Sequence, residues 1–169
     1  MALRIEPVSR AHDREEFDCG SESLNAYLRQ NARQHSERGI SRTFVLVDSQ
    51  AGKEPIPVLG YFTLNLCQLQ SEWLPEKLAR RFPRDISGLK LGRLAIAKSQ
   101  QGKGFGKALL AEAMNKVLEV FDTAGGIGLF VDAKDERAAA FYRQHGFESL
   151  PAKPRQLFLP LETIRKARG

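Results

Sequence analysis

The sequence predicts a mixed α/β fold with one central β-sheet flanked by helices. Compact apolar runs bounded by glycine, proline or polar residues, such as Thr43-Phe44-Val45-Leu46-Val47 and Gly128-Leu129-Phe130-Val131, read as strands. Helical periodicity is clearest where Leu110, Met114, Val117 and Phe121 recur every three or four residues and so share one face. A chain of 169 residues, 42% hydrophobic and 27% charged, is the size and composition of one globular domain with a full core, so a single domain over 1–169 is expected.

In chain order, Met1 to Glu6 alternates charged and apolar side chains and lacks the apolar core of a signal peptide. Ser21-Glu22-Ser23 resembles a helix start. Leu24, Tyr27, Leu28 and Asn31 fall on one face of the helix that follows, and Gly39 ends that helical region. Thr43 to Val47 is a strand, Gln50 to Pro57 a turn-rich loop, and Val58 to Leu66 a second strand. Trp73 to Phe82 reads as a short helix broken by Pro83. A strand from Leu89 to Ala97 then leads through a glycine-rich turn into the helix of Leu110 and Phe121. Gly125-Gly126 punctuates the start of the next strand. Asp135 caps a helix through Tyr142 to His145, with Gly146 in the left-handed stop position, and Gln156 to Leu159 is the last strand.

Several classes are disfavoured. No apolar run approaches the roughly 18 residues needed to span a membrane. Cys19 and Cys67 are far apart and form no metal spacing, and His12, His35 and His145 are scattered. Free thiols in a reducing cytoplasm and no metal are therefore expected. The net charge of +6 makes phosphate-rich partners plausible. The excess gathers in clusters: Arg29, Arg33, Arg38 and Arg42; Lys77, Arg80, Arg81 and Arg84; and Arg165, Lys166 and Arg168. Any one cluster could be a solvated basic face. Three of them, with few neighbouring acids, favour a polyanionic substrate.

The turn Gln101-Gly102-Lys103-Gly104-Phe105-Gly106-Lys107 carries the most chemistry. Glycines at the mouth of a helix leave its first N–H groups uncovered at the positive end of the helix dipole. A pyrophosphate suits that place, and Lys103 and Lys107 add charge. A P-loop would need four residues between Gly102 and the Gly-Lys pair and then a hydroxyl; three residues and Ala108 are found. A dinucleotide fingerprint needs G-x-G-x-x-G, whereas the glycines here fall at 102, 104 and 106.

Gln101-x-x-Gly104-x-Gly106 after an apolar strand instead resembles the acetyl-CoA pyrophosphate loop of the GNAT N-acetyltransferases. Asp135-x-x-Ala138-x-x-Phe141-Tyr142-x-x-x-Gly146-Phe147 resembles the second block of that family, in which many relatives carry asparagine where this chain has Asp135. The resemblance implies a GNAT acyltransferase fold and acetyl-CoA as co-substrate. It implies that Leu94-Ala95-Ile96, just after Arg93, pairs with the pantetheine amides, with Asp135 and Phe141 beside the cofactor. It also implies that Tyr142 protonates the departing thiolate; packing over the pantetheine arm is the alternative role for that tyrosine.

Phe17-Asp18-Cys19-Gly20 with Leu24-Asn25-Ala26-Tyr27-Leu28, Gly39 and Thr43-Phe44-Val45 further resembles the acetyltransferase toxins of type II toxin–antitoxin systems. That likeness implies acetylation of the α-amine of aminoacyl-tRNA, which blocks translation, and a ribbon-helix-helix antitoxin partner; a homodimer is expected as well. Arg80, Arg81, Arg84, Arg93, Arg29, Arg33 and Arg38 are the expected tRNA contacts. Physical chemistry agrees: an α-amine, of pKa about 7.7–8, is substantially neutral at cellular pH, whereas a lysine amine near 10.4 needs a strong base. No His or Glu base is evident beside Tyr142. The alternative is a GNAT enzyme acting on protein or small-molecule amines.

Overall fold

In a computed structural model that describes residues 1–168, nine strands and six helices follow the predicted mixed pattern. The strands are β1 (Leu3–Pro7), β2 (His12–Asp13), β3 (Arg42–Asp48), β4 (Ile56–Pro57), β5 (Gly60–Gln70), β6 (Asp85–Ile96), β7 (Gly128–Asp132), β8 (Glu148–Ser149) and β9 (Gln156–Pro160). The helices are α1 (Glu22–Gln30), α2 (Ala32–Glu37), α3 (Glu76–Ala79), α4 (Phe105–Ala124), α5 (Glu136–Gln144) and α6 (Leu161–Arg168). The seven-stranded mixed sheet has the order β1-β3-β5-β6-β7-β9-β8, and β2 pairs with β4 in a small parallel sheet.

The chain divides into two compact units, and β5, β6 and α4 each run from one into the other. The first comprises residues 1–65 and 92–113. Within it β1 lies antiparallel to β3, from Leu3 opposite Asp48 to Pro7 opposite Phe44. β3 in turn lies antiparallel to β5, from Arg42 opposite Leu64 to Leu46 opposite Gly60. Leu28, Ala32, Val45, Val47 and Tyr61, all fully buried, form its core with Phe17, Tyr27 and Ala95. Gly60 is required by close approach: a Cβ there would lie 2.8 Å from Ile96 Cδ1 and 2.9 Å from the Ala95 carbonyl.

The second unit comprises residues 66–91 and those from 114 onward. β6 runs parallel to β7 through Leu89–Leu129, Lys90–Phe130 and Leu91–Val131, and β7 runs antiparallel to β9. Phe130 and Phe158 stack at 4.5 Å between centroids, and Leu74, Ile86 and Leu150 complete that core. Phe158 is fully buried, so Phe158→Ala is expected to cost about 3–5 kcal/mol, measurable by urea titration.

Several local features differ from the sequence reading, the short strands β2, β4 and β8 among them. The helical region before Gly39 is two helices, broken at Asn31, and Ser21 makes no side-chain cap bond. The segment from Trp73 to Phe82 forms a 3-10 turn over Ser71–Trp73 and then one α-turn, because Pro75 forces its neighbourhood out of the helix and restarts it. β1 and α6 are elements that the sequence reading did not assign.

Candidate active site

The glycine turn belongs to the first unit. After β6 a 3-10 turn, Lys98–Gln100, leads to Gln101. Gly102 and Gly104 have φ of +80° and +82°, a conformation open to glycine at little cost. The Gly104 carbonyl accepts from Ala108 N at 3.2 Å, closing the first turn of α4. The N–H groups of Phe105, Gly106 and Lys107 precede any intrahelical acceptor and are left for another partner. A Cβ at Gly102 or Gly104 would meet nothing within 4 Å, so both face open space. Gly106 is the second residue of α4. Lys103 Nζ donates to Gln100 Oε1 at 3.1 Å, and both Lys103 and Lys107 are exposed.

Gln101 turns inward as a strap. Its amide donates to the Ile96 carbonyl and to the Cys19 carbonyl, each at 3.0 Å. The loop is thereby fixed to the end of β6 and to the Phe17–Leu28 segment. That segment is organised around Asp18, whose carboxylate accepts from Gly20 N at 2.9 Å and Asn25 Nδ2 at 3.0 Å, with Lys98 at 3.5 Å. The Gly20 and Asn25 bonds, then Lys98, hold its carboxyl below the usual range. Asn25 Oδ1 accepts from Cys19 N at 2.9 Å.

The ladder between β6 and β7 spans Leu89 to Leu91, whereas β6 continues to Ile96. Leu94, Ala95 and Ile96 therefore lie beyond that pairing, where an extended amide-bearing ligand can add as a strand. Arg93 is half-buried, with its guanidinium carbon 3.5 Å from the centroid of the Tyr27 ring. Tyr27 is fixed in turn by Ser41 Oγ at 2.8 Å and His35 Nδ1 at 3.1 Å. Tyr27 and Arg93 are 66 positions apart, and neither residue alone signals the stack.

Asp135, Phe141 and Tyr142 belong to the second unit. Asp135 is the N-cap of α5, its Oδ1 accepting from Ala138 N at 2.8 Å. Tyr142 is buried on α5, and Phe141 and Phe147 meet its ring edge-on at 5.2 and 5.3 Å. Phe141 is half-buried and also meets the His145 ring at 4.8 Å. Burial pushes the Tyr142 phenol up to about 12, so it stays neutral and able to donate at any working pH. Burial likewise raises Tyr61, whose hydroxyl donates to the Leu24 carbonyl at 2.6 Å. Both phenols hold their protons in the folded state above pH 10, where an unfolded tyrosine loses its own. Stability is therefore expected to be full below about pH 10 and to fall as the pH rises towards 12, measurable as a declining Tm.

The basic clusters are less free than their sequence suggests. Arg29 pairs with Glu22 at 2.9 Å, Arg33 with Glu37 at 2.5 Å, Arg80 with Glu76 at 2.6 Å and Arg81 with Glu162 at 2.7 Å. The expectation of few neighbouring acids is thus corrected for these four: i,i+4 spacing supplies two of the acids and more distant positions the others. Arg38 and Arg84 are exposed and form no ion pair among the described residues. No group of His, Cys, Asp and Glu suited to a metal occurs among the described residues, and no helix there is long and apolar enough to cross a membrane.

A mixed sheet whose longest helix opens on a glycine loop is an arrangement suited to a phosphorylated co-substrate. Residues 57–149 match the family model described as the acetyltransferase (GNAT) domain, and the chain belongs to that family of acetyl-CoA-dependent N-acetyltransferases. It is 31% identical to the "tRNA-acetylating toxin" of Mycobacterium tuberculosis over 96% of this chain and 94% of that protein. The structure of AtaT complexed with acetyl-methionyl-tRNAfMet is similar at 34% identity, with a TM-score of 0.90 and 99% of both chains covered. A tyrosine-to-phenylalanine variant of AtaT bound to the C-terminus of the antitoxin AtaR is 33% identical, with a TM-score of 0.84 and 99% of both chains covered.

Proposed function

We infer that this chain is the toxin of a type II toxin–antitoxin system, acetylating the α-amino group of aminoacyl-tRNA and so blocking translation. The observation that carries the reading is the likeness, over nearly the whole chain, to an acetyltransferase captured with an acetylated aminoacyl-tRNA. A ribbon-helix-helix antitoxin, a homodimer, a cytoplasmic location and a single catalytic domain over the whole chain belong to the same proposal.

Acetyl-CoA, when bound, supplies the acetyl group as a thioester. The N–H groups from Gln101 to Lys107 hold its pyrophosphate, with Lys103 and Lys107 adding positive charge. The Leu94-Ala95-Ile96 edge pairs with the pantetheine amides, and one of its N–H groups polarises the thioester carbonyl. Asp135, engaged in its cap, and Phe141 act through the shape of α5. The neutral α-amine forms the new C–N bond as the C–S bond breaks, Tyr142 Oη passes its proton to the departing sulfur, and the proton that the acetylated nitrogen sheds passes through solvent water to restore the phenol. In a cell-free translation reaction the protein is expected to stop synthesis only when acetyl-CoA is present. Inhibition without acetyl-CoA would contradict the mechanism.

Arg80, Arg81, Arg84, Arg93, Arg29, Arg33 and Arg38 are proposed to contact tRNA phosphates. The Glu76 and Glu162 pairs are exposed and of little worth, so releasing Arg80 and Arg81 to phosphate costs little. Replacing Arg80, Arg81 and Arg84 by alanine is expected to weaken charged-tRNA binding. The salt slope of log K should fall by at most about 0.7–0.9 for each phosphate no longer neutralised. Acetyl-CoA affinity should stay unchanged. An identical salt slope in both proteins would remove this cluster from the tRNA footprint.

A further inference from the structure

Where β1 ends against β3, the first unit gathers positive charge around an open pocket. Val8 N donates to the Thr43 carbonyl at 3.0 Å, which brings the turn at Ser9 and Arg10 beside Arg42, the first residue of β3. α2 supplies a further wall with Arg33, Ser36 and Glu37, and these residues together line a cavity of about 440 Å³. Glu37 is the acid of that lining, and it is engaged by Arg33 at 2.5 Å. Arg10 and Arg42 are exposed and form no ion pair among the described residues. The fold thus sets two unneutralised guanidinium groups on one concavity, where their mutual repulsion opposes folding. The hydroxyls add to the imbalance. Ser36 Oγ accepts from Thr43 N at 3.3 Å, and Ser9 Oγ accepts from Ala11 N at 3.2 Å. His12 Nδ1, 3.4 Å from Ser9 Oγ, already accepts from Ser9 N at 3.0 Å. Both hydroxyl hydrogens therefore remain to donate, and Glu37 apart, the side chains lining the pocket offer donors and positive charge.

We propose that this pocket seats one backbone phosphate of tRNA, with Arg10 and Arg42 neutralising it and the Ser9 and Ser36 hydroxyls donating to its oxygens. The inference rests on the function proposed above and adds to the tRNA footprint a built site, separate from the cofactor loop. A phosphodiester suits the pocket in charge and in shape. Its non-bridging oxygens each accept more than one bond, and they match the planar guanidinium fork. Its tetrahedral oxygens also spread far enough to meet donors from separate walls, whereas a carboxylate holds both of its oxygens in one plane. Arg33, half-buried and held by Glu37, closes the pocket from the side of α2. The repulsion between Arg10 and Arg42 is then relieved on binding.

The test compares charged-tRNA binding by wild type, by a double variant with Arg10→Ala and Arg42→Ala, and by one with Arg10→Lys and Arg42→Lys. The alanine pair is expected to weaken binding by about ten-fold or more and to lower the salt slope of log K by about 0.7–0.9, one phosphate contact. Lysine keeps the charge but loses the fork. Its salt slope should stay near wild type while affinity falls by about three-fold or more. The alanine pair should melt at or above the wild-type temperature, because like charges are removed, and acetyl-CoA affinity should not change. A basic face that attracts tRNA only at long range predicts a lysine pair with wild-type affinity, and that result overturns the seat. Unchanged slope and affinity in the alanine pair, where wild type binds charged tRNA, overturn this inference alone. If inorganic phosphate then raises the Tm of wild type and not of the alanine pair, the pocket is a site for free phosphate instead. If wild type neither binds nor acetylates charged tRNA, the function falls and the inference with it.

Discussion

Tyr142→Phe is expected to slow acetyl transfer by roughly 10²–10⁴-fold while leaving acetyl-CoA affinity nearly unchanged. Phenylalanine keeps the edge-on contacts with Phe141 and Phe147, so the fold and the aromatic surface are preserved and only the proton donor is removed. A phenol at about 12 is a weak acid, and it can protonate a thiolate only where that thiolate is itself desolvated and its basicity raised. Hence the rate should show no decline attributable to Tyr142 between pH 7 and about 10. Weaker acetyl-CoA binding with unchanged turnover of the bound complex would assign Tyr142 to packing instead.

The second large effect is expected at the loop. Gly104→Glu should abolish measurable acetyl-CoA binding by calorimetry with the fold retained. The φ of +82° makes any side chain strained there, at about 1–2 kcal/mol, which a folded domain tolerates. No atom lies within 4 Å of the added Cβ, so nothing in the protein is displaced. The new carboxylate enters the space in front of the α4 N-terminus, where it repels a pyrophosphate and competes for the same N–H groups. Unchanged affinity would remove the loop from the cofactor site.

Much of this architecture was legible because it depends on local signals. β3, β7 and β9 are short apolar runs, and α4 and α5 carry strong periodicity, a glycine mouth or an aspartate cap. The loop was legible because its left-handed positions demand glycine in the sequence itself. β1 was not assigned although Met1 to Glu6 alternates charged and apolar side chains: neither alternating face is fully buried, and the strand is completed by pairing with β3 more than 30 positions away. α6 was not assigned either: it is short, buries only Ile164 fully, and most of its other residues are charged. The strap from Gln101 to Cys19, the Arg93–Tyr27 stack and the close approach of Gly92 to Thr63 all join residues far apart in sequence. Tertiary folding creates these contacts, and no spacing rule announces them. The ion pairs of Arg29 and Arg81 were hidden for the same reason, since Glu22 and Glu162 reach them from seven and 81 positions away.

The most direct measurement is transfer of label from acetyl-CoA into a pool of total charged tRNA, with uncharged tRNA and lysine-bearing peptides as parallel acceptors. The proposed function predicts label in charged tRNA alone, released by mild base as N-acetylated amino acid and absent with the Tyr142→Phe protein. Label in peptides at a comparable rate, or in uncharged tRNA, would contradict it and leave a GNAT enzyme for protein or small-molecule amines.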